Sequence, residues 1–266
     1  MRHVRLEEVL TTVFAGAGRK DQQRLARAHK QAASRRGAKR QLYINTYGAN
    51  KWSPLKSRML AILGNKCWYT EVELVGAPLA VDHYRPTSVY WWLAFSPENF
   101  RVSCPFANSP KHNELYNRLG GKGATFPLLA PRTRAKRRCQ LKAEKPVILD
   151  PCEPKDCALV AFQTDGRPVI HPDHAADAEA IQRVDESKIL LNLDHPDFNS
   201  KREQLYHDIA DDVETYEELA PGSASRTNIR RRMAKRISGK APFSVAAEQY
   251  LQLYRHLEWV EDLLAA

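Results

Sequence analysis

The residues from Cys67 to His112, CWYTEVELVGAPLAVDHYRPTSVYWWLAFSPENFRVSCPFANSPKH, constrain the chain more than any other stretch. Residues 79–83 (LAVDH) and 100–104 (FRVSC) are short, rich in apolar and β-branched side chains, and read as two strands. Residues 108–118 (NSPKHNELYNR) read as a helix, with Asn108 or Ser109 as N-cap and Pro110 in the first turn. Gly120 and Gly121 are the expected stop. The local order is therefore strand, loop, strand, helix.

That order places chemistry at defined points. Asp82 and His83 are adjacent, so on a regular strand their side chains face opposite ways. Arg85-Pro86 follows and marks the strand end, which lets the two residues take different roles. Asn108 and His112 are four apart and would share a face if the segment is helical. Asp82, Asn108 and His112 can together hold one divalent ion. His83 is then the candidate general base, and Asn99 can fix its imidazole by a hydrogen bond. Phosphodiester hydrolysis needs activated water and neutralised phosphate charge, which one metal and one imidazole can supply. A hard ion such as Mg²⁺, or Mn²⁺ in its place, suits the oxygen donors. Each residue also has a plainer reading: Asn99 as a turn residue, Asn108 as a helix cap, His112 as a solvated side chain. The ordered set carries the argument.

Charge is distributed unevenly. The net charge is +10, yet residues 1–66 alone carry 15 Lys and Arg against 3 Asp and Glu. A basic segment on a near-neutral body suits a polyphosphate partner such as DNA. The basic stretches 16–40, 132–142 and 226–240 are the candidate backbone contacts. Arg85, Arg101, Lys111 and Lys122, close to the site residues in sequence, are assigned to nucleic acid as well. RNA is compatible with the same chemistry at phosphorus.

Elsewhere, residues 4–15 show amphipathic spacing, and Leu55, Met59, Leu60 and Leu63 mark a helix stopped by Gly64-Asn65. Residues 16–40 have almost no large apolar side chain and read as a basic helix that is mobile or ordered by a partner. Residues 120–143 read as a loop. PVILDP (146–151) and LVAFQ (159–163) read as strands, with a turn at Thr164–Arg167 before Pro168-Val169-Ile170. Helices are expected from Ala175, over 197–219, and from Ser244 as one final amphipathic helix. The fold class is α+β, mostly helical, with a central strand–strand–helix unit. Five irregularly spaced cysteines do not form a disulfide framework, no apolar run reaches membrane-spanning length, and the N-terminus lacks a secretory pattern. A cytoplasmic protein without a membrane partner is expected.

The run Val81-Asp82-His83-Tyr84-Arg85-Pro86, then Trp92-Leu93-Ala94, Glu98-Asn99-Phe100-Arg101-Val102-Ser103-Cys104, Asn108, Lys111-His112 and Phe126-Pro127-Leu128 resembles HNH endonucleases of the ββα-metal type. More narrowly, it looks like the HNH nucleases of Septu-type anti-phage defence systems and of some retrons. The resemblance covers about residues 51–205. It implies an HNH nuclease core at 51–130, between a basic helical segment (1–50) and a helical region with a small β-hairpin (131–266). It implies a metal-dependent DNA endonuclease acting with a partner ATPase and leaving a 5′-phosphate and a 3′-hydroxyl. His83 corresponds to the general base, Asp82 to the metal ligand before it, Asn99 to the orienting Asn, and Asn108 and His112 to metal positions on the helix. The alternative is an inactive HNH-fold module that binds nucleic acid or the ATPase. Many relatives hold a structural zinc with two CxxC pairs. Here those positions read Cys67-Trp68-Tyr69-Thr70 and Cys104-Pro105-Phe106-Ala107, so each pair lacks its second cysteine. Two thiolates do not close a structural zinc site, and none is expected.

Overall fold

A computed structural model describes residues 1–265 except 75 and 77. It is α+β and mostly helical, with small antiparallel sheets. The chain opens with α1 (Leu6–Val13), α2 (Gly18–Ala33), α3 (Gly37–Tyr47), α4 (Ala49–Trp52) and α5 (Lys56–Leu63). Contrary to the expectation of a mobile basic helix over 16–40, α2 is packed. Leu25, Ala28 and Ala32 recur at helical spacing and are all buried. Small alanines let α3 and α4 approach closely, so one large side chain suffices where a wide apolar stripe would otherwise be needed. Asp21 adds ion pairs to Arg58 at 2.6 Å and Arg24 at 2.7 Å. The helix α5 ends at Gly64, whose φ of +87° is open to glycine.

The strands β1 (Ala80–His83) and β2 (Phe100–Ser103) pair antiparallel, with Ala80 opposite Ser103 and His83 opposite Phe100. One turn of helix, α6 (Pro105–Asn108), follows directly. The expected helix over 108–118 is absent. The segment forms a second hairpin, β3 (Lys111–Asn113) and β4 (Arg118–Gly120). Asn117 takes the left-handed conformation at φ +47° and closes its turn. Only Leu115 and Tyr116 supply large apolar surface, and Leu115 is exposed, so a helix here would have no face to bury.

The remainder encloses this centre. The expected strand at 146–151 does not form: the chain makes one bridge, Pro146 to Leu128, and bends at Val147 and Ile148. After α7 (Pro154–Cys157), β5 (Val160–Phe162) and β6 (Pro168–Ile170) form the expected small hairpin. Next come α8 (Ala178–Leu190), α9 (Pro196–Glu218) and α10 (Ala224–Ile237), the last built from the basic stretch. The final helix is divided into α11 (Ser244–Gln252) and α12 (Glu258–Ala265) by turns with shorter i→i+3 hydrogen bonds. The start of α11 is tied to the segment before β1: Lys66 Nζ donates to Glu71 at 2.7 Å and to Ser244 Oγ at 3.1 Å. Among the described residues, no helix is long and apolar enough to cross a membrane.

Candidate active site around His83

The alternation of β1 separates Asp82 and His83 as expected. Asp82 turns inward. Its Oδ2 accepts a hydrogen bond from the Tyr69 hydroxyl at 2.9 Å, and its Oδ1 lies 3.0 Å from Lys122 Nζ. The carboxylate and the ammonium are both buried. Burial, followed by the Asp82 charge, pushes the Tyr69 phenol well above its ordinary range, so Tyr69 remains a donor.

His83 faces the other way and is partly exposed. Trp52, the last residue of α4, packs edge-on at 4.5 Å between ring centroids, and Phe100 lies opposite on β2 at 5.2 Å. Nε2 lies 2.8 Å from the Ala94 carbonyl oxygen. A carbonyl only accepts, so the proton of the neutral ring sits on Nε2 and Nδ1 keeps its lone pair. Among the described residues, no group hydrogen-bonds Nδ1. Burial lowers the imidazole below its ordinary value, against the opposing effects of the Ala94 carbonyl and Asp82. At neutral pH the ring is therefore a neutral base with one nitrogen fixed and the other available.

Asn99 does not touch the imidazole. Its Oδ1 accepts from the Arg85 backbone N–H at 2.8 Å, and its Nδ2 donates to the Arg85 carbonyl at 2.9 Å. This two-point clamp closes the loop between β1 and β2 at its base. Nδ2 also lies 3.5 Å from the Leu93 carbonyl, next to the Ala94 that holds His83. Asn99 thus holds the loop that carries Ala94 and does not bond His83, a correction to the direct hydrogen bond expected.

The expected metal face does not form. Asn108 ends α6 and is partly buried, and its carbonyl accepts from Gly123 N–H at 2.8 Å. His112 lies on the exposed hairpin, 3.1 Å from Asn117 Oδ1. The two residues share no helical face because no helix joins them. Among the described residues, no three His, Cys, Asp or Glu side chains converge as a metal site. More decisive is the partner of Asp82. Lys122 N–H donates to the Ala107 carbonyl, and Lys122 Nζ reaches Asp82, so this lysine bridges the end of α6 and β1. A divalent ion shared by Asp82 and Asn108 does not fit this arrangement with the ammonium in place.

Of the residues assigned to nucleic acid, three are committed internally. Arg101 is buried and bidentate to Asp150, with both N–O distances 2.7 Å. Arg85 pairs with buried Glu144 at 2.7 Å, which also accepts from Tyr90 Oη at 2.7 Å. Lys122 is fully buried. Lys111 alone is exposed, its Nζ 4.3 Å from the Phe106 ring centroid.

The positions corresponding to the zinc scaffold stay together without four ligands. Cys67, Thr70, Cys104 and Ala107 are all buried, and Thr70 Oγ1 lies 3.8 Å from Cys104 Sγ. Burial disfavours a thiolate at either cysteine, and the Cys104 thiol, bonded to Cys67, is the one pushed up, so Cys104 keeps its proton as the donor of the pair.

The sequence reading missed the roles of Trp52, Tyr69, Ala94 and Lys122. The signal for Lys122 lies in its neighbours: Gly121 and Gly123, at φ +83° and +48°, bend the chain sharply around it. Exposed basic residues such as Arg27, Lys30, Lys39 and Arg137 lie on and around the N-terminal helices and the 132–142 stretch. Within this zone, the Arg40 guanidinium sits 3.6 Å from the Trp91 ring centroid, and His29 lies parallel to the same ring. The basic helices therefore rest on the loop that carries Ala94. Against known proteins, the chain matches no family model and no curated protein.

Proposed function

We propose that the chain is an HNH-type phosphodiesterase acting on DNA, with His83 as general base. The observation that carries this reading is the state of the imidazole. Ala94 orients it, burial keeps it neutral, and Nδ1 is left as an acceptor. The succession of β1, β2 and α6, and the buried cluster at Cys67, Thr70, Cys104 and Ala107, support an HNH-like frame.

In the proposed step, Nδ1 takes a proton from water as the water oxygen attacks phosphorus, and the bond to the leaving 3′ oxygen breaks, that oxygen taking its proton from solvent. Asn99 holds the loop so that Ala94 meets Nε2. The exposed basic residues of α2, α3 and 132–142 bind the backbone, which makes affinity fall steeply with salt. Asp82 coordinates no metal in this arrangement, and no step is assigned to one. Cytoplasmic action beside a partner ATPase, in a defence system of the Septu or retron kind, follows from the sequence resemblance alone. Co-expression with an ATPase encoded alongside tests that part.

The base is tested by His83→Ala on supercoiled plasmid, on single-stranded DNA and on RNA, with and without Mg²⁺. Cleavage should drop by about 10²–10⁴ while folding and salt-sensitive binding persist. Undiminished cleavage would remove His83 from the mechanism, and the RNA arm identifies the substrate. One observation favours the second reading, an inactive binding module: the carboxylate expected to bind metal is neutralised inside the protein. Wild-type chain that binds DNA in all these conditions and cuts none would establish it.

A further inference from the structure

We propose that the Lys122 ammonium is the resident cation of this site, standing against Asp82 where a divalent ion would bind and excluding that ion. This rests on the reading of Asp82 and His83 as one site, but its test does not depend on cleavage.

The geometry is saturated on both sides. Lys122 Nζ lies 3.0 Å from Asp82 Oδ1, 2.8 Å from the His83 carbonyl oxygen and 3.3 Å from the Gly123 carbonyl oxygen. An ammonium has three N–H donors, and three acceptors are present. The other Asp82 oxygen accepts from Tyr69. A hard divalent ion would need about six oxygen ligands with room for water. Here the nearby oxygens are committed, and the lysine side chain has no solvent exposure. Bringing a second cation to the same carboxylate would set it against the ammonium at a few ångströms, where like charges repel strongly in a site that water screens little.

The backbone is shaped to deliver this one side chain. The β3–β4 hairpin leaves α6 at Ser109 and returns at Gly121, where any Cβ would collide with the Ser109 carbonyl. Gly121 and Gly123 are both left-handed, and between them Lys122 N–H and Gly123 N–H bond the Ala107 and Asn108 carbonyls at 2.8 Å each. The segment that closes the hairpin therefore seats Lys122 at the end of α6, beside the only acid of β1. The same ammonium fixes the His83 carbonyl, so it also sets the end of the strand that presents the base. Lys122 is a positioning residue, because it is buried and reaches no substrate.

The full chain is titrated with Mn²⁺ alone, following loss of the free-ion electron paramagnetic resonance signal and the shift in melting temperature against EDTA. Wild type should show no Mn²⁺ binding that Asp82→Asn removes. Lys122→Met, which keeps the stem and removes the charge, should gain Mn²⁺ affinity by about tenfold or more. The gain should vanish in the Lys122→Met/Asp82→Asn double variant. Stoichiometric binding by wild type that Asp82→Asn abolishes overturns the proposal. So does a folded Lys122→Met chain without Asp82-dependent gain, since the ammonium would then not be what excludes the ion. Should Lys122→Met fail to fold, Lys122→Gln, which also removes the charge and keeps a polar end group, takes its place and is read in the same way.

Discussion

The molecule contains two short hairpins next to each other in sequence, and they are held by opposite means. β1–β2 is interior. Phe100, Arg101, Val102 and Ser103 are all buried, and its one arginine is locked by Asp150. β3–β4 is peripheral. Lys111, His112 and Leu119 are exposed, and the hairpin is fastened by a few polar contacts: Asn113 to Asn192 at 2.9 Å, Tyr116 to Asp194, and Arg118 to Glu186 at 3.1 Å. The difference teaches where a reactive group can be positioned. His83 is fixed on one ring nitrogen by surroundings that cannot shift without disturbing the core. Among the described residues, the His112 side chain bonds a neighbour in its own turn. A base can be oriented by the first environment, while a ligand set would have to be assembled by the second.

The contrast is broken most strongly at the arginines. Arg101→Met leaves the Asp150 carboxylate without its guanidinium in a low-dielectric setting and should destabilise the chain by about 3–5 kcal/mol. Arg118→Ala removes an exposed pair and should cost about 0–1 kcal/mol. Urea denaturation of the two variants measures the gap, and equal losses would mean that the hairpins are not held differently. Next in size is Gly121→Ala, at the neck of the outer hairpin. A left-handed backbone and a collision with Ser109 should cost about 1–3 kcal/mol, without the loss of any side-chain bond.

A pH measurement sharpens the comparison further. The His83 imidazole is lowered by burial from an unfolded value near 6.5. The unfolded chain takes up a proton first as pH falls, so this group's contribution is fully present above 6.5 and is lost as pH drops toward its lower folded value. His83→Gln should flatten stability against pH in that window. Cleavage, if His83 is the base, should keep its acid limb below 6.5.

The inner hairpin was legible in the sequence because local pattern and burial agree there. LAVDH and FRVSC are strand-like by composition, and Arg85-Pro86 marks the end of the first. The small β5–β6 hairpin and the helices α1, α5, α8 and α9 were legible for the same reason, while α3 and the basic α10 were not. The outer hairpin was not. Asn108, Pro110 and the two glycines imitate a capped helix, and nothing in NSPKHNELYNR alternates. Its true signals are Asn117 and Gly121, which tolerate left-handed backbone, and Asn113, which becomes a fastener only when Asn192 is near. The packing of α2 was hidden because its seam is mostly alanine, which propensity favours but a large-apolar pattern misses. Asp82 and His83 were identifiable as a pair. That Asp82 belongs to Lys122, and that Ala94 rather than Asn99 orients the ring, depends on contacts between segments distant in sequence, which periodicity does not encode.

The smallest expected effect is also the one that most directly separates the two hairpins. His112→Ala removes an exposed imidazole whose side-chain partner among the described residues is Asn117, in the same turn. Stability should change by no more than about 0.5 kcal/mol, as at other surface positions without buried contacts. If the site consists of His83 with its loop, the rate of cleavage should also be unchanged, since among the described residues the His112 side chain bonds Asn117 and not Ala94, Asn99 or Asp82. A loss comparable with that of His83→Ala would mean that the outer hairpin moves inward when nucleic acid binds. The ligand set read from the sequence would then form only in the complex. An unchanged rate assigns β3–β4 to bringing the chain back through Gly121 to Lys122, a structural task in which its own side chains take no part in the reaction.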